Sequence, residues 1–295
     1  MHCLHISRRP QFRKRDGAPS AQPRRYLLTS REKDSYSIHS VENALDLLEA
    51  LSEETDEFRI SHLSEKLGMN KTSVFRLLAT FENRGFVERE ETSGKYRLGL
   101  SIYEMSQKFL SRMRLLRKAR PVMEQMVRQC NESAYLVVRR HEEGLFLDMV
   151  DSAQKVKIVS LVGQRFPLAS TAAGKVFLTF GENAGTEEKA RAARTAPAAA
   201  VTEELAAIRH GGACIDQHGV GEGITCAAVP LFNGNGDLAG VLALLGPDFR
   251  MPAEKLEHQL LPLLKETGEI ISSKLGYLGH YLRNGASQKE HAIGK

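Results

Sequence analysis

The chain has 295 residues, 42% hydrophobic and 26% charged, the balance of an ordinary globular protein with room for two domains. No apolar run approaches the roughly 20 residues of a membrane span. Cys3, Cys130, Cys214 and Cys226 lie far apart, with no CxxC and no paired His spacing, which argues against a zinc cluster and a disulfide scaffold and for a reducing compartment.

The formal net charge of +5 is unevenly spread. Residues 1–33 hold nine Arg and Lys against Asp16 and Glu32, with Pro10, Pro19 and Pro23 and no periodicity. Residues 1–37 therefore read as a basic disordered arm, either a dispensable tail or a segment that touches DNA phosphate. The start "MHCLHISRRP" lacks the apolar core of a secretion signal. Arg-rich starts also occur in transit peptides, but the expected location is cytoplasmic.

Ordered elements begin with "SVENALDLLEALSEE", where Val41, Ala44, Leu45, Leu48 and Leu51 share one face of an amphipathic helix. In "ISHLSEKLGMNKTSVFRLLATFENRG" two helices follow. Ser61 reads as the N-cap of the first and Gly68 as its stop, and Asn70 reads as the N-cap of the second. Phe86-Val87 and Tyr96-Arg97-Leu98 flank a charged stretch with Ser93-Gly94 at its tip, a β-hairpin pattern. Three helices and a hairpin in this order make a winged helix-turn-helix over 38–99.

Placing Val74 at 0° on the third helix puts Leu77, Leu78 and Phe81 within about 60° of it. Thr72, Arg76, Ala79 and Asn83 fall on the opposite side, with Lys71 and Ser73 at the N-terminal end. That face suits a major groove, where Arg pairs two-pronged with guanine and short polar groups reach phosphates or base edges. The hairpin adds Arg89, Lys95 and Arg97 as backbone contacts. The candidate DNA contacts are thus Lys71, Thr72, Ser73, Arg76, Asn83, Arg89, Lys95 and Arg97. A merely solvated surface helix is the competing reading.

A helical stretch runs from Leu100 to about Cys130. Pro121 predicts two helices meeting near Arg120, so 100–120 reads as a linker helix. Residues 121–280 then carry strands at "SAYLVVRRH", "LFLDMVDS" and "KVKIVSL", helices near 171–180 and 202–210, and strands at "GACID", "ITCAAVPLF" and "LAGVLALLG". The turn "NGNGD" joins the last two strands. A long helix follows from about Pro252 to Tyr277, with Leu256, Leu260, Leu263, Leu264, Ile270 and Ile271 on one face. Pro262 should kink it or mark a second start. Residues 281–295 form a polar tail.

These segments together resemble the IclR family of bacterial transcriptional regulators over 38–278. The N-terminal likeness is "SVENALDLLEAL…ISHLSEKLGMNKTSVFRLLATFENRGFVER…GKYRLG". The C-terminal likeness is "GQRFPLASTAAGKVFL" and "DQHGVGEGITCAAVPLFNGNGDLAGVLALLGPDFR". The resemblance implies an α+β two-domain chain, with a winged helix-turn-helix joined by a linker helix to a GAF-like α/β effector domain. It also implies a homodimer or homotetramer on a double-stranded palindromic operator, with repression the commoner outcome. The implied effector is a small organic acid, some of them aromatic; no cofactor or metal is expected.

In the family the backbone before the Gly-Lys pair contacts the effector carboxylate, which maps onto Ala172 and Ala173. Small residues opening a helix also suit close helix–sheet packing. Family ligand contacts map further onto Asp216 and Cys226, with Ile224 as an apolar wall. In a member with a small oxo-acid ligand, two serines sit on the strand before "GP". Here those positions are Ala243 and Leu245, which favours a larger acid with an apolar or aromatic body.

Two rival readings stand beside this one. A GAF-like enzyme would use Cys226 or Cys214 as nucleophile, which needs a thiolate activated by a nearby base or positive charge. His210 and His218 are near Cys214 in sequence only. A signalling module would instead use its winged helix to bind protein.

Overall fold

The computed structural model describes residues 37–53, 58–181 and 198–279. The basic arm before residue 37 and the polar tail lie outside them. The chain divides into two compact units, 1–102 and 103–295.

The first unit holds α1 (His39–Glu53), α2 (Ile60–Leu67) and α3 (Lys71–Glu82), then the hairpin β1 (Val87–Arg89) and β2 (Tyr96–Leu98). Leu47, Leu51, Phe58, Leu63, Val74, Leu78, Val87 and Tyr96 form its core. The buried face of α1 differs from the expected one. It centres on Leu47, Ala50 and Leu51, whereas Val41 and Leu45 are exposed. Ser61 is not the cap of α2. Phe58 exchanges backbone hydrogen bonds with Tyr96, at 2.9 and 2.7 Å, which carries extended chain up to Arg59 and starts the helix at Ile60. Gly68 does end α2, in the left-handed region at φ 64° where glycine is unstrained. Asn70 does cap α3, its side chain accepting the Ser73 N–H at 2.8 Å.

α4 (Leu100–Arg112) and α5 (Arg114–Cys130) meet at Met113, not near Arg120, and Pro121 lies inside α5. A proline costs its own helical hydrogen bond, to the carbonyl four residues earlier. Pro121 and Arg117, which carries that carbonyl, are both on the exposed side, where water can replace the bond. The other face continues unbroken through Ala119, Val122, Met123, Met126 and Val127.

In the second unit, six strands among the described residues form one antiparallel sheet: β3 (Ser133–Arg140), β4 (Glu143–Val150), β5 (Arg165–Pro167), β6 (Cys214–Gln217), β7 (Ile224–Phe232) and β8 (Leu238–Pro247). Their order is β5-β4-β3-β8-β7-β6, so the central pair joins the first strand of the unit to the last. Both central strands are almost wholly apolar because both faces of the sheet are covered. One face packs α5 and the C-terminal helix α8 (Leu261–Lys274) through Met123, Met126, Leu264 and Ile271. The other lies under α6 (Ala172–Phe180), α7 (Ala198–Gly211) and the chain around Ile158–Leu168.

"KVKIVSL" is not a strand. Val156 and Val159 point outward, and the segment is held from its ends instead: Lys157 pairs with Asp151, and Arg250 donates to the Val156 carbonyl at 2.6 Å. Pro262 marks a second start, following a π-helical turn over Leu256–Leu260 and standing in the first turn of α8. Ile270 is exposed rather than on the buried face.

Candidate functional site

The first site is the outer face of α3. Val74 and Leu78 are fully buried and Leu77 and Phe81 pack beside them. That fixes the helix's roll and turns Lys71, Thr72, Arg76 and Asn83 to the surface. Ser73 is half-buried and its backbone N–H is taken by Asn70. Sequence reading missed Phe75. It is 51% exposed, 100° from the core-facing Val74, and an exposed phenyl ring on this face is suited to a thymine methyl. The hydrophobic label that hides it in a sequence scan is the same one that marks core positions.

On the hairpin, Arg89 lies over the Tyr96 ring at 5.8 Å. Arg97 stands opposite Glu88 in the ladder and bonds to its carboxylate at 3.2 Å, so this predicted phosphate contact already has an anionic partner. Lys95 is half-buried beside the tip. At the base of the hairpin a Cβ on Gly99 would lie 2.3 Å from the Gly85 carbonyl, so only glycine lets the wing leave this close to the end of α3.

The second site is built on the α6 face of the sheet. Strand register sets its predicted residues in two neighbouring rows. Asp216, Cys226, Leu245 and Ser133 are successive cross-strand partners on β6, β7, β8 and β3. Cys214, Ala228, Ala243 and Tyr135 form the next row. Cross-strand partners share a face, and that face carries Ala172 and Ala173 of α6 as well. Ile224 packs at its margin.

The N-terminal turn of α6 would leave backbone N–H groups unpaired, and here each is accounted for. Asp216 accepts from Ala172, the Cys226 sulfur faces the Ala173 N–H, and Thr171 as N-cap accepts from Gly174 at 3.0 Å. Asp216 also accepts from Gly219 at 3.2 Å. Burial nevertheless leaves its carboxyl above the ordinary range; the two amide donors and the nearby Lys175 offset this only in part. Lys175 donates to Glu204 at 2.7 Å, a pair that keeps its ammonium charged despite burial. Gly174 serves packing: a Cβ there would lie 2.1 Å from the Leu168 carbonyl.

The cysteines are poor nucleophiles. Burial pushes the Cys214 thiol up to about 12 and drives fully buried Cys226 higher still, the opposite of an activated thiolate. Among the described residues no group of His, Cys, Asp and Glu could hold a metal ion, and no helix is long and apolar enough to cross a membrane.

Two family models match the chain: "IclR helix-turn-helix domain" over residues 40–91 and "Bacterial transcriptional regulator IclR C-terminal" over 107–273. The HTH-type transcriptional regulator KdgR of Escherichia coli is 31% identical over 254 residues, covering 83% of this chain and 96% of that protein. The DNA-binding transcriptional repressor YiaJ of the same organism is 28% identical over 249 residues, 81% of this chain and 88% of its own. The crystal structure of the IclR protein of Thermotoga maritima matches with TM-score 0.68 and 26% identity, covering 82% of this chain and all of that one.

Proposed function

The chain belongs to the IclR family of bacterial transcriptional regulators and is a DNA-binding regulator, and from that premise we propose that it is a repressor whose hold on its operator is set by a small carboxylic acid bound in the C-terminal unit. The observation that carries the effector reading is that the N-terminus of α6 already holds a carboxylate, that of Asp216. Backbone donors at a helix N-terminus are suited to an anion, and an effector acid would take them in place of, or beside, a protonated Asp216. Ala228, Ala243 and Leu245 form an apolar floor, which favours a ring or branched chain between carboxylate and far end. YiaJ, named a repressor, supports the sign of regulation.

Residues 38–99 would read the operator, with Arg76, Thr72 and Asn83 at base edges and Lys71, Arg89, Lys95 and Arg97 on the backbone. Residues 100–120 would link them to the effector unit over 121–280. The working form is a homodimer or a pair of dimers. α4 supports this: it buries none of its 13 residues, while Leu100, Tyr103, Met105 and Phe109 are exposed. A helix of that length is marginal alone in water and gains stability by packing, which a second copy would supply.

Genomic footprinting followed by anisotropy on the recovered operator tests the reading. A panel of aromatic and branched acids should release the DNA, and Ala173→Asp should abolish release while leaving operator binding intact. Release that survives Ala173→Asp undiminished places the effector elsewhere.

A further inference from the structure

Two hydroxyls in the second unit are buried without a hydrogen-bond partner among the described residues, those of Tyr135 and Ser152. Tyr135 is wholly buried and Ser152 is 4% exposed. Both lie at the end of the α6 face away from Asp216. Tyr135 stands in the row of Cys214, Ala228 and Ala243, its ring edge-to-face with Phe146 at 5.5 Å. The Leu161 backbone faces its oxygen without reaching hydrogen-bond geometry. The Ser152 amide donates to Ser133 Oγ at 3.2 Å, and Ser133 donates to Asp151 at 3.0 Å, which seats residue 152 over the same face. Three strand spacings, about 14 Å between backbones, separate β6 from β3, and side chains reach inward from both.

A buried hydroxyl left unpaired is costly, and a structure retains one where something else satisfies it. We propose that the Tyr135 and Ser152 hydroxyls form the far wall of the effector site and bond a hydroxyl or carbonyl oxygen at the end of the acid opposite its carboxylate. The inference rests on the carboxylate reading above and adds the second pole. The effector then has an acid at the α6 end, an apolar body over Ala228 and Ala243, and a polar tip between β3 and the Ser152 turn. Burial also raises the Tyr135 phenol, which keeps it protonated and able to donate.

The full chain tests this against two matched pairs, 4-hydroxybenzoate with benzoate and 6-hydroxyhexanoate with hexanoate, by calorimetry and thermal unfolding. The unmodified protein should bind the hydroxylated member of a pair about tenfold more tightly, the scale of one hydrogen bond. Tyr135→Phe should erase that preference while keeping affinity for the unhydroxylated member. Without ligand, Tyr135→Phe and Ser152→Ala should melt no lower than the parent, because each removes a group that has no partner. A clear fall in both ligand-free melting temperatures shows the hydroxyls to be held by the protein and overturns the inference. So does a preference that survives both substitutions, and so does binding with no preference, which leaves the carboxylate reading standing. If no acid of either pair binds, that reading falls and takes this one with it.

Discussion

The carboxylate of Asp216 on β6 accepts the backbone N–H of Ala172 at the start of α6, 44 residues earlier in the chain. One internal anion thus occupies the position proposed for the effector's. Burial raises the Asp216 carboxyl above its ordinary 3.8, with Lys175 and Glu204 as charged neighbours of opposite effect. Between 3.8 and the raised value, the folded chain keeps a proton that the unfolded chain has lost. Stability contributed by this group is therefore present below 3.8 and lost as pH rises through the window. Asp216→Asn should flatten that slope in melting temperature against pH. It should also raise affinity for the effector acid at pH 8, where two carboxylates otherwise compete, and make the affinity nearly independent of pH. An unchanged pH profile would show that Asp216 does not compete with the ligand.

Gly174→Ala should destabilise the second unit by about 2–3 kcal/mol, the scale of overpacking. The added methyl meets the backbone of Leu168, at 2.1 Å from its carbonyl, and backbone yields less than a flexible side chain. Denaturant unfolding of the variant beside the parent measures this.

Glu132, 1% exposed, is held by Arg250 through two hydrogen bonds of 2.9 and 2.8 Å, with Lys255 at 3.7 Å. Arg250→Ala strands that charge and should cost about 3–5 kcal/mol. Adding Glu132→Gln should recover part of the loss, since a neutral amide is cheaper to bury. Equal unfolding free energies for the single and double variants would contradict the charge-burial account.

Arg76→Ala should weaken operator binding by about 1–3 kcal/mol and relax the preference at one position. Phe75→Ala should leave affinity for non-specific DNA unchanged but reduce discrimination at an A·T pair. Anisotropy at fixed salt against single-base operator variants separates the two effects, with circular dichroism confirming the fold.

Tyr103→Glu with Phe109→Glu should lower the oligomeric state in sedimentation without unfolding the chain, since both side chains are exposed on a helix that buries nothing. An unchanged assembly would remove α4 from the interface.

Much of the fold was legible in the sequence. Asn70 and Gly68 punctuate the helix-turn-helix because capping and left-handed backbone are local properties. "ITCAAVPLF" and "LAGVLALLG" read as strands because long apolar runs bounded by a turn have few alternatives. Val74 and Leu78 located the outer face of α3 by periodicity alone. The errors lie where local pattern is silent. The Val41–Leu45 stripe of α1 is as periodic as the Leu47–Leu51 one, and only packing selects which faces the core. Pro121 was given the power to break α5, but its lost bond falls on a wet face. "KVKIVSL" has a strand's composition, yet no neighbouring strand pairs with it among the described residues.

The sequence by itself determined the order of elements, the two-unit plan and the family, because these rest on short-range periodicity and on motifs carried in linear order. Tertiary structure decided what the motif residues do. Register across four strands put Asp216, Cys226, Leu245 and Ser133 in one row, and the seating of α6 delivered Ala172 to Asp216 and left Tyr135 and Ser152 without partners. Hydrogen bonds between residues tens of positions apart depend on how strands and helices pack, and no local pattern in the chain encodes that.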